Sequence, residues 1–423
     1  MPGRSCSIVM GLSSLLLALG MPNAAQGQGT PPVVVRVATF NLEDVRTEDL
    51  VRSDQPRVKA LAEVIQRLAP TIILLNEIAY DMPGSPGFKE GDQPGQNAQR
   101  FIDNYLNVPQ APGLSVVRYK AFAAPSNTGV FSGFDLDNDG RIVDTFPPPP
   151  PTKPDGSPGE QTPEGRAYGN DCWGFGTFPG QYAMALLVDE RLIIETEKVR
   201  TFRLFPWDYV LGNFIPSKPD GSPWFSPEEL KVFRLSSKSH WDVPVRLPNG
   251  SVIHVLCSHP TPPVFDGPED RNGRRNHDEI RFWLDYISGD RSIVDDNGVI
   301  GGLDRGAHFV VAGDLNADPE KGDSFKSPAQ KLLAHRLVQR FKAPVGDVDV
   351  PRLAPTDTAM FRLRVDHVVP SRTVEVQASG VWRQLPASHV GGRFPSDHFP
   401  VWMDLVVPPP PSEPAPATPA TAP

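Results

Sequence analysis

The sequence predicts an α/β fold, and two observations carry that prediction. Short apolar runs rich in β-branched residues recur along the chain, and each ends on a polar residue. Between several of them lie segments whose apolar side chains repeat at helical spacing. Residues 33–40 run into Asn41, and 71–75 into Asn76 and Glu77. Residues 252–258 run into His259, 308–313 into Asp314, Leu315 and Asn316, and 362–365 into Asp366. Runs so uniformly apolar fit strands buried on both faces. A helix is predicted over 56–68, where Val58, Leu61, Ala62, Ile65 and Leu68 make one stripe. Ser53 or Asp54 can cap its start and Pro70 stops it. Ile280, Leu284 and Ile287 mark a second helix over 276–287, and a third is predicted over 328–341. The stretch 127–239 is rich in glycine, proline and aromatic residues and, apart from a strand-like 182–188, less regular. It reads as a large insertion within one domain.

Composition and the two ends bound the rest. A chain of 423 residues, 39% hydrophobic and 22% charged, supports one large domain or two smaller ones. Its 49 prolines concentrate in 147–163 and in a tail from Pro408, segments too poor in apolar surface to fold by themselves. At the start, Arg4 precedes an apolar run over 8–19, and the small residues Ala24, Ala25 and Gly27 follow. This is the pattern of an export signal over 1–30, which leaves a domain over 31–407 and a tail over 408–423. The apolar run is shorter than the ~20 residues a membrane span needs, so a secreted or periplasmic protein without a stable membrane anchor is expected. Cys6 departs with the signal, and Cys172 and Cys257 permit one disulfide without demanding it. Neither has zinc-site spacing. A net charge of −9 argues against binding nucleic acid through a broad basic face. Nothing in the sequence sets the oligomeric state.

In open α/β sheets ligands bind beyond the carboxyl ends of strands. A lone acidic residue there is usually a helix cap or a turn former. Asn41, Glu77, His259, Asp314 with Asn316, and Asp366 together look like a hard-cation site, because oxygen donors dominate the set. Asp314 and Asn316 are spaced to orient a water and a phosphoryl oxygen together. Asp397 and His398 stand side by side in a Ser-Asp-His triplet before an apolar run over 401–406, with Asp366 upstream as an orienting partner for His398.

In order and spacing, Thr39-Phe40-Asn41-Leu42, Leu75-Asn76-Glu77-Ile78, Ser258-His259, Gly313-Asp314-Leu315-Asn316, Arg364-Val365-Asp366-His367 and Ser396-Asp397-His398 resemble the endonuclease/exonuclease/phosphatase superfamily. The resemblance spans about residues 33–407. It implies a deoxyribonuclease-I-like, four-layered sandwich of two mixed β-sheets flanked by helices, cleaving phosphate esters with Mg2+ or Mn2+. It also implies that Glu77 is the main metal ligand, with Asn41 and Asp397 close to the ion. Asp314 would orient or deprotonate the attacking water, and Asn316 would hold a phosphate oxygen. His398, steadied by Asp366, would sit against the phosphoryl group, and His259 would serve the transition state or the leaving oxygen. Asn76 departs from the glutamine more common in the family. The leading expectation is a phosphodiesterase of nuclease type acting on a phosphate ester, with DNA or RNA as the candidate substrate. A phosphatase or phospholipase acting on sugar phosphates or phospholipids is the runner-up, and a non-enzymatic calcium-binding protein comes last.

Three further features have two readings each. Asp135, Asp137 and Asp139 with Gly140 open like a calcium loop, but Phe146 stands where such a loop closes on glutamate. They are either a structural Ca2+ site or a solvated acidic turn. Arg271, Arg274 and Arg275 either hold a second substrate phosphate or pair with the neighbouring acids. Trp173, Phe175, Phe178 and Tyr182 read first as a local core and second as a base-stacking platform.

Overall fold

The computed structural model describes residues 30–154, 156–388 and 392–411. The predicted export signal, apart from its last residue, and most of the predicted tail lie outside them. The strands are β1 (Val33–Val45), β2 (Ile72–Ile78), β3 (Tyr119–Phe122), β4 (Met184–Asp189), β5 (Ile193–Ile194) and β6 (Arg200–Thr201). They continue with β7 (His240–Arg246), β8 (Val252–Ser258), β9 (His308–Asp314), β10 (Asp366–Pro370), β11 (Glu375–Val381) and β12 (Val401–Val407). One sheet has the order β11-β12-β1-β2-β4-β3, the other β10-β9-β8-β7-β5 with β6 also on β7. Both are mixed, since β1–β2 and β8–β9 are parallel while the other pairs are antiparallel.

The two faces of each central strand serve different cores. On β8 and β9, Val255 and Val310 join Phe40, Leu74, Leu186 and Trp241 in the core shared by the two sheets. Their neighbours Leu256 and Val311 point the other way, onto Ile280, Trp283 and Ile287 of the helix Arg271–Ile287. On the first sheet, Val58, Leu61 and Ile65 of the helix Pro56–Leu68 pack into the same contiguous cluster of buried side chains. The result is the predicted sandwich, helix–sheet–sheet–helix. Each fully buried Val, Leu or Ile contributes about 1.5–3 kcal/mol.

Several boundaries differ from the expectation for identifiable reasons. Gln55, not Ser53 or Asp54, precedes the first helix, which opens on Pro56 and closes at Ala69 in a left-handed turn (φ 47). Asp54 instead pairs with Arg52 on the surface. The second helix begins at Arg271, earlier than its apolar stripe, because its first turns are polar yet buried. The third ends at Ala334, and Val338 beyond it bridges to Ser371. Residues 362–365 form no strand; the chain turns at Arg362 (φ 68), and β10 starts where the predicted run ends. The stretch 127–239 is not one insertion either. β4 runs through it as an inner strand of the first sheet, leaving two separate excursions over 123–183 and 202–239.

Candidate active site

Strand direction brings the polar residues to one edge. Asn41 lies opposite Asn76 across the parallel β1–β2 pair, and Cys257 opposite Ala312 across β8–β9, so four strands end there together. β10 runs antiparallel to β9 with Asp366 opposite Asp314, so its first residue reaches the same edge. β12 is antiparallel to β1, which puts the preceding Asp397 and His398 there too. Asn76 ties the two sheets: its Oδ1 accepts from the Thr39 hydroxyl and from the Asp314 N–H, both at 3.1 Å. Gly313 has to be glycine, because at φ 150 a Cβ would stand 2.0 Å from the Ser258 carbonyl oxygen.

Glu77, His259 and Asp314 each bring one donor atom within 4.8 Å of the others, and Asp314, Asp366 and His398 form a second such group sharing Asp314. Asn41 Nδ2 donates to Glu77 Oε1 and to Asp314 Oδ2, at 3.0 Å each. The other Glu77 oxygen accepts from the Asp44 N–H at 3.1 Å. His259 Nε2 is 3.5 Å from Asp314 Oδ2 and 3.9 Å from Glu77 Oε1. His398 Nδ1 is 2.9 Å from Asp366 Oδ2, which leaves Nε2 facing Asp314 Oδ2 at 3.8 Å. Thr358 donates to the same Asp366 oxygen at 2.8 Å. Asn316 donates to the Pro260 carbonyl at 3.1 Å and takes a left-handed backbone (φ 51). Glu77 is left-handed too (φ 60). Strain of this kind persists only where surrounding contacts fix it, and it gathers at functional sites.

The charges are unevenly held. Burial, reinforced by Asp397, pushes the Glu77 carboxyl up to about 8. Burial and Asp314 push Asp366 up to about 6. Burial works against the charged form of Asp314, but His398 and His259 outweigh it and hold that carboxyl well below the usual range. His398 resists burial because Asp366, Asp314 and Asp397 surround it, and it stays protonated far above the ordinary histidine value. Burial and Lys238 push His259 down to about 4. A carboxylate as reluctant to ionise as Glu77, in a nest of oxygen donors, is what a divalent cation would correct. His259 Nδ1 and Asp366 Oδ1 have no hydrogen-bond partner among the described residues. The donor set fits a hard ion.

Not every predicted residue falls within ligand reach. Asn41 turns its nitrogen to the carboxylates while its oxygen accepts from the Glu43 N–H at 2.9 Å, so here it is a donor that clamps Glu77 to Asp314. Asp397 is 38% exposed and belongs to neither close group, with Oδ1 3.9 Å from His398 Nε2. In the acidic loop Asp139 pairs with Arg141, and Asp171 takes its place beside Asp135 and Asp137. The Asp171 carboxylate is already engaged by the Leu136 and Val143 N–H groups.

The arginines serve the scaffold. Arg275 is buried and donates to the carbonyls of Leu235, Trp173 and Arg234. Arg274 donates to the Glu269 carbonyl, and Arg271 donates to that of Leu136 and lies 3.8 Å from Glu269. Trp173 and Phe178 are buried, with Trp173 edge-on to Phe233. Cys172 and Cys257 are both buried free thiols.

Sequence reasoning passed over several residues that build the edge. Asn276 Nδ2 donates to the Thr261 and Leu315 carbonyls, pinning the loops after His259 and Asp314. Glu279 accepts from the Ser237 and Thr261 N–H groups. Lys238 lies buried against Pro260. The available signal was a run of polar residues, Arg275 to Glu279, on the first turns of a helix that also carries an apolar stripe.

The chain belongs to the endonuclease/exonuclease/phosphatase family, whose model matches residues 38–398. The family acts on phosphate esters. Among solved structures, a protein of that description from Beutenbergia cavernae is similar at 20% identity and TM-score 0.44, covering 89% of this chain and 72% of its own. The human nocturnin catalytic domain, solved with a bound sulfate anion, is 13% identical at TM-score 0.40, covering 89% and 94%. A truncated Caenorhabditis elegans TDP2 is 14% identical at TM-score 0.39, covering 88% and 98%. No curated protein matches the sequence.

Proposed function

We propose that the protein is an exported, divalent-metal-dependent phosphodiesterase of nuclease type. The convergence of Glu77, His259 and Asp314 within 4.8 Å, with the Asp366–His398 pair adjoining, carries this reading. The export part rests on the N-terminal residue pattern alone.

Glu77 would hold Mg2+ or Mn2+ in the space that Asp314 and His259 also face, and the ion would supply positive charge to ester oxygens and to the leaving oxygen. In the hydrolysis, a water oxygen bonds to phosphorus while the ester P–O bond breaks and its electron pair leaves with the oxygen. Asp314, kept anionic by its donors, orients that water and takes its proton. His398, oriented by Asp366, donates from Nε2 to a phosphoryl oxygen as charge builds there. Asn316 holds a second oxygen, and His259 faces the leaving group, which takes its proton from solvent. Donors fixed in advance need no reorganisation at the moment of reaction.

A phospholipid head-group diester is the second reading, and a specific observation favours it. Met360 and Phe361 are 42% and 46% exposed, with the Phe361 ring 5.3 Å from that of His398. Phe265, on the loop after His259, is 88% exposed. Met360 and Phe361 put exposed apolar surface beside the centre.

Purified protein given plasmid DNA, RNA, bis-p-nitrophenyl phosphate or phospholipid vesicles with Mg2+ or Mn2+ tests both. Metal-dependent, chelator-reversible release is expected, larger from nucleic acid than from lipid. Release from lipid alone selects the second reading, and release from none overturns both.

A further inference from the structure

We propose that Lys238 is a substrate-contact residue of this centre, holding a non-bridging phosphate oxygen beside Asn316; this rests on the phosphoesterase reading. Lys238 precedes β7 and is only 6% exposed. Its ammonium lies 3.5 Å from the Pro260 carbonyl, the same oxygen that accepts from Asn316 Nδ2 at 3.1 Å. Ammonium and amide therefore border one atom, directly after His259. An ammonium has three donors, and this long contact engages one of them. Among the described residues no carboxylate pairs with it. Glu279, which favours the charged ammonium, has its oxygens on the Ser237 and Thr261 N–H groups, at 2.7 and 2.6 Å.

A buried cation without an ion pair is expensive, and a fold gains nothing from it that an apolar side chain of equal length would not supply. Its position is nonetheless preset. The Asn127 N–H donates to the Lys238 carbonyl at 2.9 Å, and the preceding N–H is the one fixed by Glu279. Burial pushes the ammonium below the usual lysine range, while Glu279, Glu77 and Asp314 pull the other way. A phosphate diester brings the further negative charge that two idle donors can meet. The predicted arginines do not compete for this role, being tied to backbone carbonyls.

The test compares the parent with Lys238→Met and Lys238→Gln. Met removes the charge in similar volume; Gln keeps a donor for Pro260 and lacks the charge. Both variants should fold with an unchanged or higher Tm and bind Mn2+ in calorimetry as the parent does. Inorganic phosphate titrated into the Mn2+-loaded proteins should bind both variants at least about tenfold more weakly. Their kcat on bis-p-nitrophenyl phosphate should fall by about 10²-fold. A purely structural lysine would be rescued by Gln. Phosphate affinity equal in all three proteins, restored in Lys238→Gln, or absent from the parent overturns the proposal. If the parent cleaves no ester, the functional reading fails separately, and the phosphate titration still decides the role of Lys238.

Discussion

At the strand ends, three carboxylates and two imidazoles crowd together, and their protonation is pushed far from ordinary values in both directions. At the start of the helix Arg271–Ile287, three arginines stand within five residues, and each is held by a backbone carbonyl. Both regions are charged and partly buried, and the sequence marked both as candidate sites. What separates them is whether the charges already have partners. The arginine turn is complete without a ligand and holds loops in place. The strand-end centre is left with a carboxylate that resists ionisation and, among the described residues, a buried ammonium without an ion pair, which is what the proposed cation and phosphate would meet.

Breaking the centre should abolish function and leave the fold. Glu77→Gln is expected to lower metal-dependent hydrolysis of bis-p-nitrophenyl phosphate by about 10³-fold or more, with unchanged far-UV circular dichroism. His398→Ala should lose about 10²–10³-fold in kcat, and Asp366→Asn less, because it removes the orienting partner and not the donor. Equal activity in His398→Ala and the parent would refute its role.

Breaking the arginine turn should do the reverse. Arg275→Ala leaves three carbonyls without their donor and should lower urea-unfolding stability by about 2–3 kcal/mol, with KM unchanged. A raised KM at parental stability would return Arg275 to the substrate. Asn76→Ala should fall between these, losing about 1–3 kcal/mol together with part of kcat, since the amide joins the two sheets directly beside Glu77.

The last effect is in pH. In metal-free protein Glu77 titrates near 8, above its unfolded value. Its share of stability is therefore present below about pH 4.5 and lost as pH rises toward 8. Thermal unfolding should show that decline, and Glu77→Gln should flatten it. His398 contributes in the same direction, its folded value also being raised, so some slope will remain in the variant.

The fold class was legible because buried strands and amphipathic helices write different periods, as on β8 and β9, where neighbouring side chains feed two cores. The centre was legible because strands of common direction end in polar residues. Asp366 shows where that reading stops: it opens β10 and does not close a strand, and it reaches the edge because β10 runs antiparallel to β9. Apolar runs carry no sign of direction. β4 was legible as the strand-like 182–188, but the irregular sequence on either side made it look like part of an insertion, and only pairing with β2 reveals it as part of the sheet. Lys238 and Glu279 were missed for another reason. Their significance lies in which partners they have across the chain, and that is not written in local sequence.

Calorimetric titration of Mn2+ into the parent and into Glu77→Gln tests the shared cation most directly. One binding event with release of protons is expected in the parent, because Glu77 must ionise to bind, and its loss is expected in the variant. Binding of equal strength and equal proton release in both proteins would contradict a metal centre built on Glu77.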